Sequence, residues 1–206
     1  MPKEMAGSLP PVGGGESYFD PLGLATKEYI SKEEIKRWRE SELKHGRLAM
    51  LAVLGFIVGE AGSPLFKTSI IGPAIYQYQQ VGQVFPLFPT LLITAIVFAE
   101  FISIGKGWST VKETLQAPNG IAYLQDEYIP GDLGFDPLGL NPDKDTGRKS
   151  TFTYMTPEFK EMRTKELQNG RLAMLGIAGF VAQELVDHRS IAEHFATFGF
   201  GPAGPR

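Results

Sequence analysis

The chain contains no cysteine, which excludes disulfides, zinc–cysteine sites and thiol catalysis. Histidine is nearly as scarce: His45, His188 and His194 are the whole supply, too few for a histidine-built catalytic site. Cations and anions almost balance, 20 Lys and Arg against 23 Asp and Glu, so the basic excess of a nucleic-acid binder is missing. Long uncharged apolar runs are also few. Only Leu87–Ile104, LFPTLLITAIVFAEFISI, approaches the roughly 20 mostly apolar residues that a membrane-crossing helix needs, and it carries one ionisable group, Glu100. Leu48–Val58 stops after 11 residues, and with a mean hydropathy of −0.08 over the chain it reads, taken alone, as a buried helix of a soluble protein. The first ten residues, MPKEMAGSLP, lack both the Arg/Ser-rich amphipathic character of a transit peptide and the apolar core of a signal peptide. In an imported protein they are expected to begin the mature chain.

What the sequence does contain is a duplication. Glu42–Glu60 reads ELKHGRLAMLAVLGFIVGE and Glu166–Glu184 reads ELQNGRLAMLGIAGFVAQE, with 11 of 19 positions identical at an offset of 124 residues. Each copy places an acid, a potential metal ligand and an arginine (Glu42, His45, Arg47; Glu166, Asn169, Arg171) at the mouth of an apolar helix. Charges there are costly unless they meet a partner or a metal. A hexapeptide recurs as well: Phe19–Leu24 and Phe135–Leu140 are both FDPLGL. Asp-Pro followed by Gly is turn chemistry, with Pro fixing φ and Gly tolerating positive φ. The duplicated unit is therefore a loop followed by a long helix.

The distribution of cations favours a membrane over a soluble bundle. With three spans centred near residues 53, 95 and 177, the segment before the first span and the loop between the second and third hold fifteen Lys and Arg. The other two segments hold three, Lys67, Arg189 and Arg206. Such segregation is expected when one side faces the compartment of synthesis or import. It puts the amino terminus on the basic side and the carboxyl terminus opposite. The expected fold is an all-α membrane protein, a single domain over residues 1–206 with three transmembrane helices. The first (about 31–62) and third (about 157–187) are long, crossed and related by a pseudo-two-fold axis. The middle helix is expected at about 89–114, and a short amphipathic carboxyl-terminal helix at about 190–197. Ser31-Lys-Glu-Glu34 has capping-box spacing, and Thr156-Pro157 opens the third helix with Pro at its first position.

Small residues recur every third position on both repeated helices: Gly46, Ala49, Ala52, Gly55 and Gly170, Ala173, Gly176, Gly179. This stripe suits helices crossing at an angle, flat ligands lying against the backbone, or ordinary small-residue packing. If the helices cross about a two-fold axis, Arg171 reaches Glu42 and Arg47 reaches Glu166, removing four isolated charges from lipid. An arginine-bound carboxylate still has lone pairs for a hard cation such as Mg²⁺. His45, Asn169 and Gln183 add an imidazole and two amide oxygens spaced along the helices. Scattered single ligands suit separate metal centres that each lack one axial bond, as a chlorophyll magnesium does.

ELKHGRLAML, ELQNGRLAML and the paired FDPLGL loops closely resemble the three-helix light-harvesting chlorophyll-binding proteins of chloroplast thylakoids, over about residues 18 to 200. The resemblance implies a non-enzymatic pigment scaffold. It implies that Glu42, His45, Glu166, Asn169 and Gln183 are axial chlorophyll ligands on the two long helices, with Glu100 the ligand of the middle helix and His194 that of the short one. Arg47 and Arg171 match the ion-pairing arginines. The loops carrying Asp20 and Asp136 match those that hold the ends of two carotenoids. Implied cofactors are chlorophyll a, chlorophyll c as the accessory form, xanthophyll carotenoids and bound lipid. Implied partners are a photosystem core, photosystem I before II, with neighbouring antenna subunits. The implied location is a plastid thylakoid, amino terminus stromal and carboxyl terminus luminal.

The sequence departs from the family pattern in places. Leu92 occupies the position where the family often has a glutamine ligand, and Arg-Leu-Ala replaces Arg-Trp-Ala. The latter, with Asn169, Gln183 and the Pro130–Asp136 run, resembles the red-lineage branch and its photosystem I-associated antennae. Two other readings compete, a photoprotective quencher of the same family and a membrane transporter lined by Glu and Arg. An enzyme is disfavoured, because the sequence shows neither a nucleophile–base constellation nor a phosphate loop. Among the remaining polar residues, His188 reads as a solvated loop residue. Glu60 and Glu184 read as solvated interfacial acids, and Gln77, Gln79, Gln80 and Gln83 as undistinguished amides.

Overall fold

The computed structural model describes residues 20, 22–23, 30–61, 70, 72–117, 120–143 and 155–197. Apart from one isolated bridge, Trp108 to Leu124, the regular structure of these residues is helical: α1 Lys32–Glu60, α2 Ala74–Val84, α3 Leu87–Gly107, α4 Val111–Gln116, α5 Pro157–Asp187 and α6 Ile191–Thr197. The first FDPLGL loop lies partly outside the described residues, as do Lys3, Lys27, Lys67, Lys144, Arg148, Lys149 and Arg206 of the charge count.

α1 begins with a complete capping box. Ser31 Oγ accepts from the Glu34 N–H at 3.2 Å, and the Ser31 N–H donates to Glu34 Oε2 at 3.0 Å, satisfying two donors that a helix start otherwise leaves open. At 29 residues and about 1.5 Å per residue, α1 is about 44 Å long. α5, 31 residues, begins at Pro157 behind the buried Thr156, whose hydroxyl accepts from the Phe159 N–H.

The middle segment differs from the single helix expected over 89–114. α3 starts two residues earlier and stops at Gly107, and α4 starts afresh at Val111. The break has local causes. A side chain at Gly107 would put its Cβ 2.7 Å from the Tyr128 ring. The Ser109 N–H leaves the helix for the Tyr123 carbonyl at 2.8 Å. Thr110 and Glu113 then form a second capping box, a Thr-x-x-Glu spacing legible in the sequence. α2 was not expected at all.

α3 has the length and apolar composition to cross a membrane, alone in this respect among the described residues, and only 6% of its most apolar 18-residue window is buried. The core helix of a soluble protein would be mostly covered. Here Ile93, Ile96, Val97, Phe98 and Phe101 face outward. Leu48, Leu51, Leu54 and Ile57 on α1 and Leu172 and Leu175 on α5 are exposed too. An apolar surface on this scale marks contact with lipid, a ligand or a protein partner.

The described residues form two compact units, one from 1–45 with 99–169 and one from 46–98 with 170–206. The first has an apolar core of Leu43, Leu124, Tyr128, Ile129, Phe159 and Leu167 around the buried Glu40. That carboxylate accepts from the Gly131 N–H at 2.5 Å, from the Tyr128 hydroxyl at 3.2 Å and from Ser103 Oγ at 3.4 Å. The buried Lys36 donates to the carbonyls of Gln125 and Asp126 at 3.0 and 2.8 Å.

In the second unit α1 and α5 touch at Gly46 and Gly170, where a Cβ built on either residue falls 3.0 Å from the Cα of the other. Farther along, Phe56 stacks on Phe180 with ring centroids 6.2 Å apart. The small-residue stripe thus splits in role. Gly46 and Gly170 allow close helix contact, whereas Gly55 and Gly179 face open space.

Candidate magnesium-ligand sites

An axial ligand to magnesium needs a lone pair aimed away from its own helix and a support that holds it there. In α1, His45 Nδ1 lies 2.7 Å from the Ser41 carbonyl oxygen and 3.3 Å from Ser41 Oγ. A proton on Nδ1 donated to that carbonyl makes Nε2 the lone-pair nitrogen. In α5, Asn169 stands at the matching repeat position. Its amide nitrogen donates to the Lys165 carbonyl at 2.9 Å, which leaves Oδ1 as the outward acceptor. Both residues are exposed. Different side chains, tied in the same way four residues back, therefore present a neutral ligand atom at equivalent places. The residues present fit a magnesium centre that needs one axial bond.

The acids follow a second rule. Arg39 donates to one oxygen of Glu42 at 2.6 Å, and Arg163 donates to one oxygen of Glu166 at 3.0 Å, each pair three residues apart on its helix. Arg163 is itself fixed by the Pro130 carbonyl and by the Phe159 ring, 5.6 Å from its guanidinium carbon. Sequence reasoning missed Arg39 and Arg163, although they stand at the same 124-residue offset, three positions before each copy. It also missed Lys44, which pairs with Glu100 of α3 at 2.7 Å.

Gln183 and His194, expected as separate ligands, are neighbours. The Gln183 amide nitrogen lies 3.0 Å from His194 Nδ1, and Asp187 approaches that same nitrogen at 2.9 Å while also accepting from Gln183. Among the described residues no three His, Asp or Glu side chains gather as a metal cluster would.

Three further residues need correcting or refining. Glu60 and Glu184 are not solvated interfacial acids. Glu184 is fully buried and accepts from the N–H groups of Ala74 and Ile75 at 3.1 and 2.8 Å, capping α2. Glu60 accepts from those of Ile191 and Ala192 at 2.8 and 3.0 Å, capping α6. Their shared repeat offset was the missed signal. His188 is exposed, as expected, but its Nδ1 lies 3.4 Å from the Tyr76 hydroxyl, and its backbone holds a left-handed φ of 55° just after α5. In the second FDPLGL loop, Asp136 accepts from the N–H groups of Leu140 and Asn141 at 2.9 and 3.0 Å. Asp20 offers its carbonyl to Gly23 at 3.1 Å. Gly23 and Gly139 take matching left-handed φ values of 61° and 64°, conformations that favour glycine.

Residues 1–185 match the chlorophyll A-B binding protein family. Light-harvesting complex stress-related protein 3.2 of Chlamydomonas reinhardtii is 50% identical over 187 residues, 88% of this chain and 64% of that relative. The fucoxanthin-chlorophyll a-c binding protein of Isochrysis galbana is 44% identical over 186 residues, 89% of this chain and 79% of that protein. Chlorophyll a-b binding protein 7 of Solanum lycopersicum is 34% identical over 185 residues, 86% and 60% of the two lengths. The chain thus spans just under two thirds of the stress-related relative.

Proposed function

The chain belongs to the chlorophyll A-B binding protein family, and we propose that it is a thylakoid antenna, a non-catalytic scaffold that holds chlorophylls and carotenoids and passes excitation to a photosystem. The observation that carries this reading is the matched pair His45 and Asn169. Each has its donor nitrogen held at the carbonyl four residues back, so an imidazole nitrogen and an amide oxygen face outward at equivalent places. Bound chlorophyll supplies visible absorption and the excited state. The chain's own residues hold each ligand atom in place, compensate the charge of the acids and exclude water with an apolar surface.

In this reading α1, α3 and α5 all span the membrane, with α1 and α5 crossed near Gly46 and Gly170. Arg171 supports Glu42, Arg47 supports Glu166, and the basic segments face the stroma. Gln183, Glu100 and His194 take further chlorophylls. The Asp20 and Asp136 turns hold carotenoid ends, chlorophyll c accompanies chlorophyll a, and photosystem I is the favoured partner. The test is the absorption spectrum and pigment extract of the purified protein. Chlorophyll and carotenoid bands in fixed ratio to polypeptide are expected; a colourless protein would overturn the proposal and favour a transporter.

A second reading within the family is carried by a specific observation, the 50% identity to relatives named light-harvesting complex stress-related. It makes the chain a dissipator of excess excitation. Chlorophyll fluorescence lifetime on either side of luminal acidification separates the two. A lifetime that shortens sharply at low pH supports dissipation, and an unchanged lifetime supports harvesting.

A further inference from the structure

We infer that Lys44 is the counter-ion that makes Glu100 a competent axial ligand on α3, an inference that rests on the reading of Glu100 as a chlorophyll ligand. The three acids proposed as ligands share one arrangement: Glu42 with Arg39 at 2.6 Å, Glu166 with Arg163 at 3.0 Å, and Glu100 with Lys44 at 2.7 Å. In each, a cation meets the carboxylate, and a carboxylate paired in this way can still offer a lone pair to a metal. The neutral candidates His45, Asn169 and Gln183 use no such cation; their nitrogens are held by backbone or by a neighbouring side chain.

The chemistry explains the division. A carboxylate bound to an otherwise neutral magnesium centre carries a net negative charge into a low-dielectric setting, and such charges are costly without a partner. Glu42 and Glu166 each have a cation on their own helix, three residues back, besides the proposed cross-helix arginines. α3 offers no such partner. Its only cation is Lys106, which donates to the Leu133 carbonyl, and the residue three positions after Glu100 is Ser103, which faces Glu40. The cation has to come from another element, and α1 provides it. Lys44 also lies 3.7 Å from Glu40, but Glu40 already accepts from Tyr128, Gly131 and Ser103, and the shorter contact is to Glu100.

The experiment compares reconstituted full-length variants by chlorophyll per polypeptide and by difference absorption spectra. Glu100→Leu should lose about one chlorophyll and a defined absorption band. Lys44→Met should lose the same band, and Lys44→Arg should keep it. The deciding variant is Lys44→Met with Glu100→Gln, because an amide ligand needs no counter-ion; it should regain the band. Full pigment in Glu100→Leu would remove Glu100 as a ligand, and the role of Lys44 with it. A loss in Glu100→Leu with none in Lys44→Met would leave the ligand standing and refute the counter-ion. A Lys44→Met loss or folding failure that Glu100→Gln does not reverse would also refute it, by showing that Lys44 serves the fold through Glu40.

Discussion

The two repeated helices share one set of contacts and differ where each holds something that the other does not. Arg39–Glu42 matches Arg163–Glu166, the His45 tie to residue 41 matches the Asn169 tie to residue 165, and the Glu60 cap on α6 matches the Glu184 cap on α2. Differences fall at Glu40 against Thr164, at Lys44 against Gln168, and at Gly59 against Gln183, whose amide meets His194. Glu40 reaches Ser103 and the Tyr128–Gly131 loop, and Lys44 reaches Glu100. Thr164 bonds back to its own helix at Lys160, and Gln168 is exposed. α3 occurs once in the chain, and α1 reaches it through Glu40 and Lys44. The ties at Glu42/Glu166 and at His45/Asn169 match, whereas positions 40 and 44 differ from 164 and 168.

The largest effect should come from the point where the copies touch. In Gly46→Leu or Gly170→Leu the new Cβ would lie 3.0 Å from a facing backbone atom, which a rotamer change cannot relieve. Extra methylenes in a packed core already cost about 1–3 kcal/mol, and here backbone must move. Both variants should fail to reconstitute with pigment. Gly55→Ala and Gly179→Ala meet nothing within 4 Å and should melt within a few degrees of the parent. Next come the arginines of the proposed cross-helix pairs. Arg47→Leu and Arg171→Leu should each cost about 3–5 kcal/mol, the range for breaking a buried ion pair. Matching losses of melting temperature and pigment yield would support equivalence of the copies. A normal yield in either variant would show that its glutamate depends on Arg39 or Arg163 instead.

Much of this was legible because duplication amplifies weak signals. One FDPLGL is a turn and one lone Asn169 is a surface amide, but a copy of the hexapeptide upstream of each repeated helix, and the 124-residue offset between His45 and Asn169, marked both as parts of a unit. The capping signals at Ser31 and Thr156 placed the starts of the long helices. The sequence hid what depends on distant partners. α2 carries no local N-terminal capping side chain and exists because Glu184, 110 residues away, supplies the acceptor. Lys44 is one of twenty cations until folding brings α3 beside it. Glu60 and Glu184 were misjudged because an acid near a helix end is usually solvated, whereas these two meet the amino termini of other helices. The break at Gly107 was also obscured, since helix resumes at Val111 after only three residues, and the Tyr128 ring beside Gly107 comes from a distant loop.

A smaller, more local effect should follow removal of single ligands. His45→Leu and Asn169→Leu should fold and each lose about one chlorophyll, with distinct difference spectra because the ligands project from different helices. The control is His188→Asn rather than His188→Leu, since asparagine tolerates the left-handed φ that position holds. It should leave pigment content unchanged. Full chlorophyll content in both His45→Leu and Asn169→Leu would assign these residues to structure alone.

The smallest effect is also the finest test of the comparison, because the two terminal glutamates are equivalent in position but not in dependence. α6 has a second cap, Ser190 Oγ, which accepts from the Glu193 N–H at 3.2 Å. α2 follows Pro73, which offers no side-chain hydrogen bond. Glu184 is fully buried, while Glu60 is half-buried. Glu60→Ala should therefore cost about 0.5–1 kcal/mol, the low end for a lost cap. Glu184→Ala strands two amide donors away from water and should cost about 1–3 kcal/mol. Hydrogen exchange reads the difference residue by residue. The amides of Ala74 and Ile75 should lose protection strongly in Glu184→Ala, and those of Ile191 and Ala192 only weakly in Glu60→Ala. Equal losses at the two sites would mean that Ser190 contributes nothing to α6 and that the terminal glutamates serve their short helices alike.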